Sequence, residues 1–134
     1  MKIKDQRLAV KRARTGLGLF AMKRIQANRR IIEYIGTLLI GEERENARGR
    51  YLFEIDENRV IDGSTRSNLA RYINHSCEAN STEIISGNSI WIWSLRVIEA
   101  GEEITLDYGK EYLEQFIKPG NCKCEKCASQ SRKP

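Results

Sequence analysis

Three of the four cysteines in this 134-residue chain crowd into "NCKCEKC" (Cys122, Cys124, Cys127), and the fourth, Cys77, sits far upstream in "RYINHSCEAN". Gaps of one and two residues put three thiolates within reach of one tetrahedral ion, and zinc is the usual occupant of all-sulfur sites in a reducing compartment. Three ligands leave one coordination position open, and Cys77 is the cysteine left to fill it. Such a site obliges the chain to carry its C-terminal tail back onto the 71–80 loop. Structural zinc contributes roughly 10–16 kcal/mol in small peptides, enough to clamp a tail in place. The alternative, reduced thiols exposed in a frayed tail, invites oxidation. The single histidine, His75, stands two residues before Cys77. A Cys–His dyad would want a third, orienting group, and residues so close in sequence are not expected to face one another productively; a satisfied structural histidine is the other reading.

The remaining sequence reads as one mostly β domain. Short runs rich in Ile, Leu, Phe, Tyr and Trp ("GLGLFAM", "RIIEYIGTLLI", "YLFEI", "RVI", "SIWIWSL", "EITLDY") are bounded by turn signals such as "DENR", "DGS", "SGNS" and "EAGEE". In "SIWIWSL", Ile90 and Ile92 alternate with Trp91 and Trp93, so both faces of that strand are expected to be covered. Helical patterning is confined to "STRSNLARYI" and "KEYLEQFI", and the polar "GEERENARGR" reads as an exposed excursion. No apolar run reaches the roughly 18 residues of a membrane span, and the charged N-terminus lacks a secretory h-region. An intracellular protein, cytoplasmic or nuclear and away from membranes, is the expectation; the oligomeric state is left open.

The net charge of +5 conceals a segregation. Residues 1–30 hold ten Lys/Arg against one acid, residues 118–134 five against one, and residues 31–117 eight against sixteen. Basic ends suit weak contact with nucleic acid, and an acidic centre suits a basic substrate.

Five segments, in order, resemble the SET-domain protein-lysine methyltransferases. "TGLGLFAMKRI" is similar to the family's N-terminal glycine motif and "EYIG" to its second. "RYINHSCEAN" resembles the signature Arg-Phe-Ile-Asn-His-Ser-Cys-x-Pro-Asn, "GEEITLDYG" the Gly-Glu-Glu-Leu-Thr-Phe-Asp-Tyr motif, and "NCKCEKC" the post-SET cysteine cluster. The resemblance covers roughly residues 6 to 128 and includes no pre-SET cluster. It implies a SET-domain β fold of short strands over 6–117, a C-terminal segment threaded beneath the third-motif loop like a pseudoknot, a post-SET zinc tail over 118–128, and a flexible end over 129–134.

The resemblance also implies S-adenosylmethionine as methyl donor and, as acceptor, a lysine of a basic protein such as a histone tail. By carry-over, Thr15, Gly16, Leu17 and Gly18 lie against the cofactor, the glycines allowing close backbone approach. Tyr51, Arg71, Asn74, His75, Tyr108 and Lys123 join them on the cofactor side. Arg71 is also expected to pair structurally with an acid such as Glu103 or Asp107. Tyr34, Tyr51 and Tyr108 are the expected aromatic walls of a lysine channel, with Tyr108 the catalytic tyrosine. An apolar channel beside a sulfonium lowers the lysine pKa from about 10.4 toward the neutral, nucleophilic amine. Tyr108, with a reference pKa of about 10, is expected to align the reactants rather than act as a base.

Three positions depart from the family pattern. Ala79 replaces the usual Pro, the tail has C-x-C-x2-C where a four-residue second gap is common, and Leu106 stands where many members carry Phe or Tyr. Leucine offers no hydroxyl to hold water beside the amine, so Leu106 is expected to favour products beyond monomethyl-lysine. Two rival readings are a non-catalytic SET-fold module that holds a peptide or partner, and a small zinc-containing nucleic-acid-binding protein.

Overall fold

The polar punctuation of the sequence cuts the chain into strands of two to six residues, and the computed structural model describes residues 7–14 and 16–109. The hairpin β1 (Leu8–Ala13) and β2 (Gly16–Ala21) comes first. It is followed by β3 (Arg30–Tyr34), β4 (Thr37–Ile40), the one-turn helix α1 (Glu42–Asn46), β5 (Leu52–Glu54) and β6 (Arg59–Asp62). A 3-10 turn (Leu69–Tyr72) then leads to β7 (Asn74–His75), β8 (Ser81–Ser86), β9 (Ser89–Ser94) and β10 (Thr105–Leu106). Two three-stranded sheets, β3–β9–β8 and β4–β6–β5, are accompanied by the β1–β2 hairpin and by a short parallel pair, β7 with β10. The mostly β expectation holds. The proposed tail segments 110–134, including "KEYLEQFI", lie outside the described residues, as does Thr15. Among the described residues no helix is long and apolar enough to cross a membrane.

β9 is the central strand of its sheet, and its period-two pattern decides the core. Ile90 and Ile92 are wholly withdrawn from water and pack with Leu19, Ile98 and Ile104. Each such side chain contributes about 1.5–3 kcal/mol by burial. The opposite face of β9 is only half-buried, and its cover is partly an arginine: the Arg30 guanidinium lies 4.3 Å from the Trp91 ring centre and 5.7 Å from that of Trp93.

The helical pattern in "STRSNLARYI" produces only the four-residue 3-10 turn. Asn68, at the N-terminal end of this turn, is fully buried; its side chain accepts from the Ile35 N–H at 3.1 Å and donates to the Gly63 carbonyl at 3.0 Å. Tertiary hydrogen bonds thus outcompete the local cap. The polar excursion at 41–50 carries α1, which buries no residue, and it is tethered by Arg44 to Glu54 at 3.2 Å and to the Asp56 carbonyl at 3.2 Å.

The segment 102–106 is stitched between three parts of the chain. On one side the Ala21 N–H donates to the Glu102 carbonyl at 2.9 Å and the Ile104 N–H to that of Leu19 at 2.8 Å. On the other, Thr105 and Leu106 run in parallel register with Asn74 and His75. Asn80, nearly fully buried, closes the third side: its amide donates to the Glu103 carbonyl at 2.8 Å and its carbonyl oxygen accepts from the Thr105 N–H at 2.9 Å. The Ser81 hydroxyl donates to the Thr105 carbonyl.

Asn80→Ala strands two buried backbone groups without replacing them, which costs about 2–4 kcal/mol. Thermal unfolding should show a melting temperature lower by roughly 10 °C; an unchanged midpoint would refute the role given to this side chain.

Candidate active site

The stitching brings the sequence motifs together. The glycine strand β2 lies beside the 102–104 segment, and that segment continues as β10 beside β7, which carries Asn74 and His75. Asn74 is the junction. Its Nδ2 donates to the Leu17 carbonyl at 3.0 Å and to Glu103 Oε2 at 2.7 Å, which occupies both amide protons and leaves the carboxamide oxygen to receive a ligand donor.

The two glycines of β2 serve different needs. Gly16 has φ +124°, a backbone conformation closed to most side chains, and a Cβ there would have open space. Gly18 is required by crowding: a Cβ would lie 2.4 Å from Glu103 Oε2 and 3.1 Å from Asn74 Nδ2.

His75 is the second junction. Its side chain is 3% exposed, and Nδ1 accepts the backbone N–H of Tyr108 at 3.0 Å. In the neutral ring the proton then sits on Nε2, which lies 3.2 Å from Cys77 Sγ and donates to it. The expectation that these two side chains would not face one another is therefore corrected. β7 ends at His75, and Cys77 follows in a turn that brings its sulfur to Nε2. Burial pushes the imidazole pKa below 6.5, with Asp107, 3.8 Å from Nδ1, pulling the other way. A depressed histidine favours folding fully above about pH 6.5, and that contribution is eroded as pH falls from there toward the folded-state value.

Tyr34, Tyr51, Leu106 and Tyr108 line a cleft of about 1000 Å³ together with Leu17, Arg71 and Asn74. Tyr34, at the end of β3, is buried; its hydroxyl donates to the Tyr51 carbonyl at 2.7 Å and its ring packs on Phe53 at 5.0 Å. It supplies a wall. The Tyr108 hydroxyl donates to the Ile73 carbonyl, and its ring lies 5.3 Å from that of His75. Leu106 is 3% exposed.

Arg71 does not follow its expected pairing. Its guanidinium stacks 4.3 Å from the Tyr51 ring centre and 5.2 Å from that of Tyr72, and it donates to the Ser64 carbonyl. Glu103, one of its expected partners, takes Asn74 instead. The charge of the cleft differs from expectation too. Five arginines and four carboxylates line it, because many acids of the central segment, Glu42, Asp56 and Glu99 among them, stand on other surfaces.

Cys77 is half-buried, and no group of three or more His, Cys, Asp or Glu able to hold a metal occurs among the described residues. Its three expected partners, Cys122, Cys124 and Cys127, lie outside them, as do Thr15 and Lys123. Sequence reasoning gave Glu103 only as a possible partner of Arg71, and it missed Asn68 and Asn80 altogether. Each is a polar residue whose partner stands far along the chain.

The SET domain family profile matches residues 16–109. The chain belongs to the SET domain family. It is 39% identical over 124 residues to the histone-lysine N-methyltransferase trithorax of Drosophila virilis, covering 84% of this chain and 3% of that protein. It is 38% identical over 141 residues to the histone-lysine N-methyltransferase set1 of Dictyostelium discoideum (93% of this chain, 9% of that protein). The histone-lysine N-methyltransferase set-2 of Caenorhabditis elegans is 43% identical over 123 residues, covering 80% of this chain and 8% of that protein. The SET chain thus spans less than a tenth of the length of these relatives.

Gly18→Ala forces a methyl group against Glu103 and Asn74, an overpacking that costs about 2 kcal/mol. Differential scanning calorimetry should register a melting temperature lower by several degrees; a midpoint equal to the parent's would mean that the crowding is easily relieved.

Proposed function

We propose that this SET-domain chain transfers a methyl group from S-adenosylmethionine to a lysine side chain of a basic protein, with a histone tail as the favoured substrate. The observation that carries the reading is the convergence of Leu17, Asn74, Leu106 and Tyr108, from three separate sequence motifs, on one cleft. Its volume of about 1000 Å³ falls at the upper end of what cofactor sites require. The names of the relatives, all histone-lysine N-methyltransferases, point the same way.

The residues present fit the donor. Gly16, Leu17 and Gly18 give close backbone approach, Asn74 offers a carboxamide oxygen to an ammonium group, and Glu103 holds that oxygen in place by occupying the amide end. The cofactor would supply an electrophilic methyl on a sulfonium. Tyr34, Tyr51 and Tyr108 enclose the acceptor lysine and strip water from it, which lowers its pKa and frees the lone pair. Tyr108, whose hydroxyl donates to the Ile73 carbonyl, would align the reacting groups through its oxygen without serving as base. Positioning of this kind can supply roughly 7–11 kcal/mol. Leu106 leaves the channel wall without a hydroxyl, which favours products beyond monomethyl-lysine.

The proposal extends to a structural zinc held by Cys77, Cys122, Cys124 and Cys127, with Lys123 against the cofactor; elemental analysis of the purified chain checks it. His75 would steady that assembly by donating to the Cys77 sulfur. An intracellular, chromatin-associated place of action belongs to the same proposal.

The test is mass spectrometry of a histone-tail peptide incubated with S-adenosylmethionine. The parent chain should add two or more methyl groups at saturation, and Tyr108→Phe should lower the rate on the order of a hundredfold or more while keeping a cooperative melt. Full activity in Tyr108→Phe would remove this residue from the mechanism, and a strictly monomethylated product would overturn the role of Leu106.

A further inference from the structure

A second concave surface lies at the far end of β3. Arg30 opens that strand and Tyr34 closes it, so four residue steps, about 13 Å at ~3.3 Å each, separate this groove from the cleft. The groove measures about 510 Å³ and shares no lining residue with the cleft. Arg7, Arg24, Arg29 and Arg30 line it over a floor of Ile25 and Trp93, and among the described residues no carboxylate contributes to the lining. This concentration is a property of the sequence as well: residues 7–30 hold eight Lys/Arg and no Asp or Glu.

We propose that this groove docks the phosphate backbone of duplex nucleic acid. The donors at its rim are guanidinium groups, whose planar forks match phosphate oxygens and whose charge is permanent. Arg30 is held by its stack on Trp91 at 4.3 Å, so little rotamer freedom is lost when it binds an anion. Among the described residues Arg24 is engaged only by Glu99 at 3.4 Å, with both side chains more than half exposed, and a phosphate can displace so weak a pair. A duplex carries one charge per ~1.7 Å of axis in rigid array, so the three exposed arginines, Arg24, Arg29 and Arg30, meet several phosphates at once. The carboxylates of an acidic peptide, on separate flexible side chains, offer no such array.

Among the described residues the groove and the cleft share no lining residue, so a duplex and a protein tail would not compete for the same side chains. That arrangement suits a methyltransferase whose substrate is itself bound to nucleic acid. Only this biological sense rests on the function proposed above; the binding does not.

The test is fluorescence anisotropy of a labelled duplex of about 20 base pairs, titrated with the full chain across a salt series. Binding by the parent should weaken with salt, with a log–log slope near −0.9 for each phosphate engaged. Arg24→Glu/Arg29→Glu changes two exposed side chains. It should bind at least about tenfold more weakly, with the slope reduced in size by about two. No binding by the parent overturns the proposal, as does an unaltered slope in the variant. Equal weakening by Lys11→Glu/Arg12→Glu on the β1–β2 hairpin would assign the effect to diffuse charge. Competition by polyglutamate as strong as by unlabelled duplex would assign the groove to acidic protein instead. Because the readout is binding alone, a chain that docks the duplex through the groove but never methylates a peptide supports this proposal while sinking the methyltransferase reading.

Discussion

The hydrogen bonding of a single extended segment, Glu102 to Tyr108, governs this structure. It is flanked by β2 on one side and β7 on the other, and the Asn80 side chain spans two of its backbone groups. A buried backbone group left unpaired costs 1–3 kcal/mol, so the segment can lie in this slot in only one register. Once it is seated, the side chains of Glu103, Leu106 and Tyr108 have no choice of position.

That constraint gives the site its economy. Glu103 fixes Asn74 and demands a glycine at position 18, while the backbone of Tyr108 fixes the His75 ring. The cofactor-side residues and the proposed catalytic tyrosine are therefore set by one short segment, Glu103 to Tyr108, rather than by independent loops. Rigid mutual placement of this sort is what a positioning mechanism requires, since it relies on alignment and not on an activated base. The cleft itself is lined by opposing charges in near balance, so it would discriminate by shape and local pairing more than by bulk attraction.

Much of the fold was legible because apolar periodicity is local. The alternation in "SIWIWSL" marked a strand with two apolar faces, of which the Ile90 and Ile92 face is core and the Trp91 and Trp93 face only half-covered, and the turn signals separated the strands. The motif order also placed Asn74 and Tyr108 on one cleft. What escaped was polar and long-range. Asn68 looks like a helix cap and is a buried clasp between distant loops; Asn80 looks like a loop residue and holds β10. Arg71 was expected to pair with an acid such as Glu103 or Asp107, whereas it finds two aromatic rings and a carbonyl. No sequence spacing reports which of several acids an arginine will meet, because that is decided by packing. The cover of Trp91 by Arg30 was hidden for the same reason: a flexible charged side chain can shield an aromatic face as a hydrophobe does.

The central claim is that Glu103 positions Asn74 for the proposed cofactor. Titration calorimetry with S-adenosylhomocysteine on the parent, Glu103→Ala, Asn74→Ala and the double variant tests it most directly. The account predicts at least about tenfold weaker binding for each single variant, with the double no weaker than Asn74→Ala alone, a coupling of about 1 kcal/mol or more. Parent-like affinity in Glu103→Ala, or losses that simply add, would contradict it.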